Sequence, residues 1–149
     1  MGEPNQDERK ILFRLEKDSD DYPPNDWESL WAIETEKGFY RIDNIPFFVR
    51  GISPGDIVSV KKKNGELLFK EVTTFSAHSV LRVIVFDENR IEGLENSMVS
   101  MGCDFEGSHI EGLIAFNIPP HVDFDKVTSY LKKGEDEGSW EYEEASLRH

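Results

Sequence analysis

The chain has 149 residues and carries 30 acids against 17 bases, a formal net charge of −13. Such a field opposes nucleic acid and anionic lipid, and favours a basic protein partner or plain solubility. A single cysteine, Cys103, excludes an intramolecular disulfide scaffold, and a reducing cytoplasm is the expected compartment.

The start, MGEPNQDERK, lacks the apolar core of a secretory leader. Residues 1–8 are expected to form a flexible terminus. Ile11 to Leu15 reads as a short strand that ends in KDSDDYPPNDW, where Pro23-Pro24 and the acids force an irregular connection. SLWAIETEKGFYRIDNI contains two strand-like segments about Glu36-Lys37-Gly38, a hairpin pattern. In IPFFVRGISPGD the prolines and glycines punctuate a loop, and an alternating strand follows Asp56. Lys61-Lys62-Lys63 leads to a hairpin tip at Asn64-Gly65, a pair suited to positive φ. Leu67 to Val72 is the returning strand. Short strands with glycine corners predict a small bent sheet or partial barrel over residues 9–75.

The second half changes rhythm. Val80 to Phe86 is a strand, and VLRVIVF is too short to span a membrane and contains Arg82. Ile91, Leu94, Met98 and Met101 form a helical stripe within residues 88–101, with Gly102 at the expected C-cap. Cys103 to Gly107 and Leu113 to Ile118 read as strands, the second stopped by Pro119-Pro120. Asp123 or Asp125 caps a final helix with a stripe of Phe124, Val127, Tyr130 and Leu131; Gly134 is expected to end it. Residues 138–143 give a last alternating strand. The order β-α-β-β-α-β is that of a ferredoxin-like lobe, predicted over residues 76–145, with residues 146–149 as a loose end. The fold class is therefore α+β.

Charge is uneven between the halves. Residues 1–86 carry 15 acids and 12 bases, whereas residues 87–149 carry 15 acids and five bases.

Ser76-Ala77-His78-Ser79 invites a nucleophile-and-base reading. Strand neighbours point to opposite faces, however, and no GxSxG elbow is present. A polar lead-in between two lobes is the plainer expectation. Arg82, amid the apolar run of the strongest strand signal, must reach solvent or pair with a carboxylate, because unpaired burial costs several kcal/mol. An ion pair structuring the lobe junction is the leading expectation, with anion binding as the alternative. Phe47 and Phe48 are adjacent, so a regular strand buries only one on each face. The histidines are scattered without zinc-ligand spacing, and the sequence calls for no metal and no cofactor. Asp43 is expected to make an Asx-type turn with Asn44.

Trp31, Asn44-Ile45-Pro46-Phe47, Gly51, Gly55-Asp56, Ser76, His78-Ser79, Arg82 and the closing WEYEEA together resemble a family of small bacterial proteins, domain of unknown function 4265. The resemblance spans about Glu28 to Glu143. It implies a bacterial, cytoplasmic origin and assigns no activity or catalytic residue.

The function expected on these grounds is a non-enzymatic, acidic interaction or regulatory module, such as an inhibitor or toxin-neutralising protein, whose partner is a basic protein. The alternative is a small enzyme or metabolite binder at the lobe junction, with Asn44, Phe47, Ser76, His78 and Arg82 as its ligand contacts. Neither nucleic acid nor a membrane is expected as a partner.

Overall fold

A computed structural model describes residues 8–149, which divide into two compact units between Ser76 and Ala77. Most of the expected flexible start, residues 1–7, lies outside the described residues; Glu8 already belongs to a strand.

The first unit is a sheet of five strands: β1 (Glu8–Arg14), β2 (Trp27–Glu36), β3 (Phe39–Ile42), β4 (Ile57–Lys63) and β5 (Glu66–Thr74). Consecutive strands pair antiparallel, and β5 returns to β1 through parallel pairs at Ile11/Leu67 and Leu12/Leu68, which closes the sheet. Closure follows from alternation. Ile11, Phe13, Leu30, Ala32, Tyr40, Ile42 and Val58 all point inward and form one core. The Phe13 and Phe69 rings stack inside it with centroids 4.6 Å apart. The β4–β5 turn has Asn64 at φ 51° and Gly65 at φ 80°, the doubly positive pair whose twist matches the flanking strands.

The second unit has β6 (Ser79–Val85), α1 (Ile91–Ser100), β7 (Asp104–Gly107), β8 (Leu113–Ile118), α2 (Phe124–Asp136) and β9 (Trp140–Ser146). Its sheet order is β7-β8-β6-β9, all antiparallel, so the arrangement is ferredoxin-like. The helical stripes explain why both helices lie on one face. Leu94 and Met98 of α1 and Val127 and Leu131 of α2 share a core with Leu81, Val83, Val85, Ile114, Phe116, Ile118 and Trp140. The first helix begins as a short 3₁₀ turn, Glu88–Arg90, capped by the Asp87 side chain. Asp123 caps α2 by accepting from the Lys126 N–H at 3.2 Å.

Two sequence expectations are corrected here. Gly134 does not end α2, which runs on to Asp136; Gly138, at φ 77°, makes the turn instead. Gly134 has another task, because a Cβ there would sit 1.9 Å from Cζ2 of Trp140. The missing side chain lets the indole lie flat on the helix, where its Nε1–H donates to the Leu131 carbonyl at 2.8 Å. Residues 146–149 are not a loose end either. Ser146 belongs to β9, and His149 stacks on Phe124 with centroids 4.8 Å apart while its Nε2 contacts the Pro119 carbonyl at 2.9 Å.

β9 is an edge strand, and such edges invite pairing with other chains. Here the Tyr142 N–H donates to Glu135 Oε2 of α2 at 3.3 Å. The same neighbourhood raises the Tyr142 pKa, through burial first and the Glu135 charge second.

Candidate functional site

In the first unit the residues of interest gather around the loop 43–56. Glu28 shares the inward parity of Leu30 and Ala32, and its buried carboxylate accepts three consecutive backbone N–H groups. The distances are 2.7 Å from Phe47, 3.1 Å from Phe48 and 2.8 Å from Val49. Phe47 is thus held through its backbone, with its ring half-buried and the Phe48 ring buried. Asn44 Oδ1 accepts the Trp31 N–H while the Asp43 N–H donates to the Trp31 carbonyl at 2.9 Å. The expected local Asx turn is therefore a side-chain continuation of the β2–β3 ladder. Asp56, fully buried, takes the Ser53 N–H on Oδ2 at 2.9 Å and the Ser76 N–H on Oδ1 at 2.8 Å. The Ser76 hydroxyl donates to the Pro54 carbonyl at 2.7 Å. Asn44, Phe47 and Ser76 are positioned by this set of loop bonds. Sequence reading missed its two carboxylates, although the parity of Glu28 was an available signal.

In the second unit His78 Nδ1 lies 3.1 Å from Asn117 Oδ1, and Asn117 Nδ2 donates to Asp104 Oδ2 at 3.2 Å. With Oδ1 of Asn117 as acceptor, Nδ1 of His78 carries the proton. Arg82, 3% exposed, lies on the sheet face opposite the helices with Val80 and Ile84, and its Nη1 is 3.6 Å from Glu143 Oε1 on the neighbouring strand. The ion pair expected of Arg82 is thus a cross-strand one inside this unit.

A serine–histidine contact does exist, between partners distant in sequence. Ser79 Oγ lies 2.6 Å from His149 Nδ1, not on adjacent His78. With the His149 Nε2–H donating to Pro119, Nδ1 is the acceptor of the hydrogen bond from the Ser79 hydroxyl. A nucleophile must also reach a substrate, yet Ser79 is fully buried and its oxygen already accepts the Arg148 N–H at 2.8 Å. The geometry anchors the end of the chain.

Cys103 is buried, and burial chiefly, helped by the Asp104 charge, pushes its thiol up to about 11. A rise from the ordinary 9.0 leaves about a hundredfold less thiolate at neutral pH. Iodoacetamide is expected to label native Cys103 at least that much more slowly than the urea-unfolded chain at pH 8. Equal rates in the two states would show that the thiol is open. Among the described residues no three His, Cys, Asp or Glu side chains are grouped to hold a metal ion, and no helix is long and apolar enough to cross a membrane.

The model of an uncharacterised bacterial family, domain of unknown function 4265, matches residues 28–142. The chain belongs to that family. The matched stretch begins at the carboxylate that holds the Phe47–Val49 loop and ends on β9, so the DUF4265 region covers strands of both units. No curated protein matches the chain. Its fold is similar to the crystal structure of a hypothetical protein from Neisseria gonorrhoeae, with a TM-score of 0.79 and 20% sequence identity over 94% of this chain and 95% of that one. At that identity the likeness concerns the fold alone.

Proposed function

We propose that this DUF4265 protein is a non-enzymatic interaction module whose second unit engages a basic protein partner. The observation that carries this reading is the placement of acidic side chains. Residues 77–149 hold 15 acids and six bases. Six of the acids lie at the end of α2 and along the edge strand: Glu135, Asp136, Glu137, Glu141, Glu143 and Glu144. Glu141 and Glu143 are on the sheet face away from α2, and Asp136, Glu137 and Glu143 each lie within 4.0 Å of a base. Asp136, Glu137, Glu141 and Glu144 are exposed. Concentrated like charge raises the on-rate for an oppositely charged partner and excludes acidic competitors. The candidate side chains support a structural rather than a reactive role, since Asn44, Ser76 and His78 are each engaged in hydrogen bonds within their own unit.

The test uses two baits in a bacterial lysate, the native protein and the charge-reversed triple variant Glu137→Lys, Glu141→Lys, Glu144→Lys. A basic protein retained by the native bait alone is expected, with saturable binding by calorimetry that weakens as salt rises. A complex indifferent to the charge reversal, or no saturable complex, refutes the reading.

A further inference from the structure

The acidity of the whole chain conceals a basic and aromatic surface on the outside of the first sheet. Ile11 and Phe13 point inward, so Lys10, Leu12 and Arg14 of β1 face out. The register sets Lys10 opposite Trp31, Arg14 opposite Trp27, and Leu12 beside Leu68; Lys61 lies opposite Leu68, and Lys63 opposite Glu66. Two cations lie over the tryptophans. Lys10 Nζ is 5.2 Å from the Trp31 ring centroid, and the Arg14 guanidinium carbon is 5.8 Å from that of Trp27. Beside them opens a groove of roughly 470 Å³ lined by Leu12, Trp27, Lys63, Asn64, Glu66 and Leu68. Trp27 is 44% exposed.

We propose that this groove binds a short, extended acidic peptide, which inserts one apolar side chain between Leu12, Leu68 and Trp27 and meets Lys10, Arg14, Lys61 and Lys63 with its carboxylates. The two halves of the motif answer two features of the site. Leucines beside an open tryptophan lose water to an apolar group, and tryptophan and arginine are the residue types that dominate binding energy at interfaces. The four exposed cations select negative charge. Glu66 is the acid among the lining residues, and, opposite Lys63, it offsets part of that lysine's charge. A nucleic-acid strand fits less well. It brings a charge on every nucleotide, where an alternating acidic peptide brings one on every second residue, into the field of a chain of charge −13. This surface belongs to the other unit and has the opposite sign from the acidic one proposed above, so either can fail without the other.

The experiment is a titration of the full chain, followed by the indole and backbone N–H resonances of the first unit. The probe is a ten-residue peptide of alternating glutamate and glycine with one central phenylalanine. Saturable shifts at Trp27, Leu12 and Leu68 are expected, and they weaken with salt. Arg14→Glu and Lys63→Glu should each weaken binding about tenfold, and Glu66→Gln should tighten it. Three results overturn the proposal: no saturable shift at millimolar peptide, equal binding when the phenylalanine is replaced by glycine, or tighter binding of a ten-residue oligothymidylate to the same residues.

Discussion

Gly134→Ala is expected to destabilise the protein by about 2 kcal/mol, against the usual preference for alanine inside a helix. The added Cβ would meet Trp140 at 1.9 Å from Cζ2, 2.2 Å from Cε2 and 2.6 Å from Cη2. The indole has little room to retreat. Its N–H is bonded to the Leu131 carbonyl, the Tyr130 ring lies at 5.8 Å and the Arg90 guanidinium at 5.3 Å. Arg90 is itself held by Glu137 at 3.3 Å and Ser139 at 2.9 Å. Overpacking costs about 1–3 kcal/mol, and a contact of 1.9 Å to a held ring belongs at the upper end; less the roughly 1 kcal/mol of backbone entropy that alanine recovers, about 2 kcal/mol remains. Gly93→Ala in α1 is the matched control, since nothing lies within 4 Å of its added Cβ. That variant should gain about 0.5–1 kcal/mol. Urea unfolding of both decides the matter: if the two alanines stabilise equally, the ring is free to move and the packing account is wrong.

Glu28→Gln is expected to cost about 3 kcal/mol, a large loss for a substitution that keeps shape and volume. The carboxylate accepts three backbone N–H groups. An amide has one acceptor oxygen and turns an N–H₂ towards donors, so at least one of the three N–H bonds is lost. Bonds to a charged acceptor are roughly twice as strong as neutral ones. Hydrogen exchange gives the local signature: the Phe47, Phe48 and Val49 amides should lose protection ahead of the rest of the core. A stable variant with those amides still protected would mean that the loop is held by its rings.

These two sites also mark where sequence reading ends. The stripe Ile91, Leu94, Met98 and the turn Asn64-Gly65 declare themselves because period and positive φ are local properties. The order of the second unit followed from them. Gly134 looked like a helix end because a glycine without its partner reads as a stop signal, and Trp140 becomes its partner only once α2 folds onto β9. Ser79 and His149 are separated by 70 positions, so no spacing rule joins them, and in the sequence the histidine beside Ser79 is His78. The lysines at 61–63 read as a solvated tip, and their relation to Trp27 depends on the closure of β5 against β1. Glu28 is different, because its alternation with Leu30 and Ala32 was visible and pointed inward.

The position of β6 bears on the order in which the second unit is built. It is the first strand of that unit to leave the ribosome, yet it lies between β8 and β9, the last two. Both of its edges therefore wait for later segments, and its run Val80-Leu81-Arg82-Val83 stays unpaired until residues 113–118 and then 140–146 have been made. The first unit adds strands in sequence and needs only one distant pairing, β1 with β5, to finish. Synthesis thus leaves a strongly apolar strand exposed until the unit is almost complete, and Arg82 in its middle is a charge where an uninterrupted apolar run would invite aggregation.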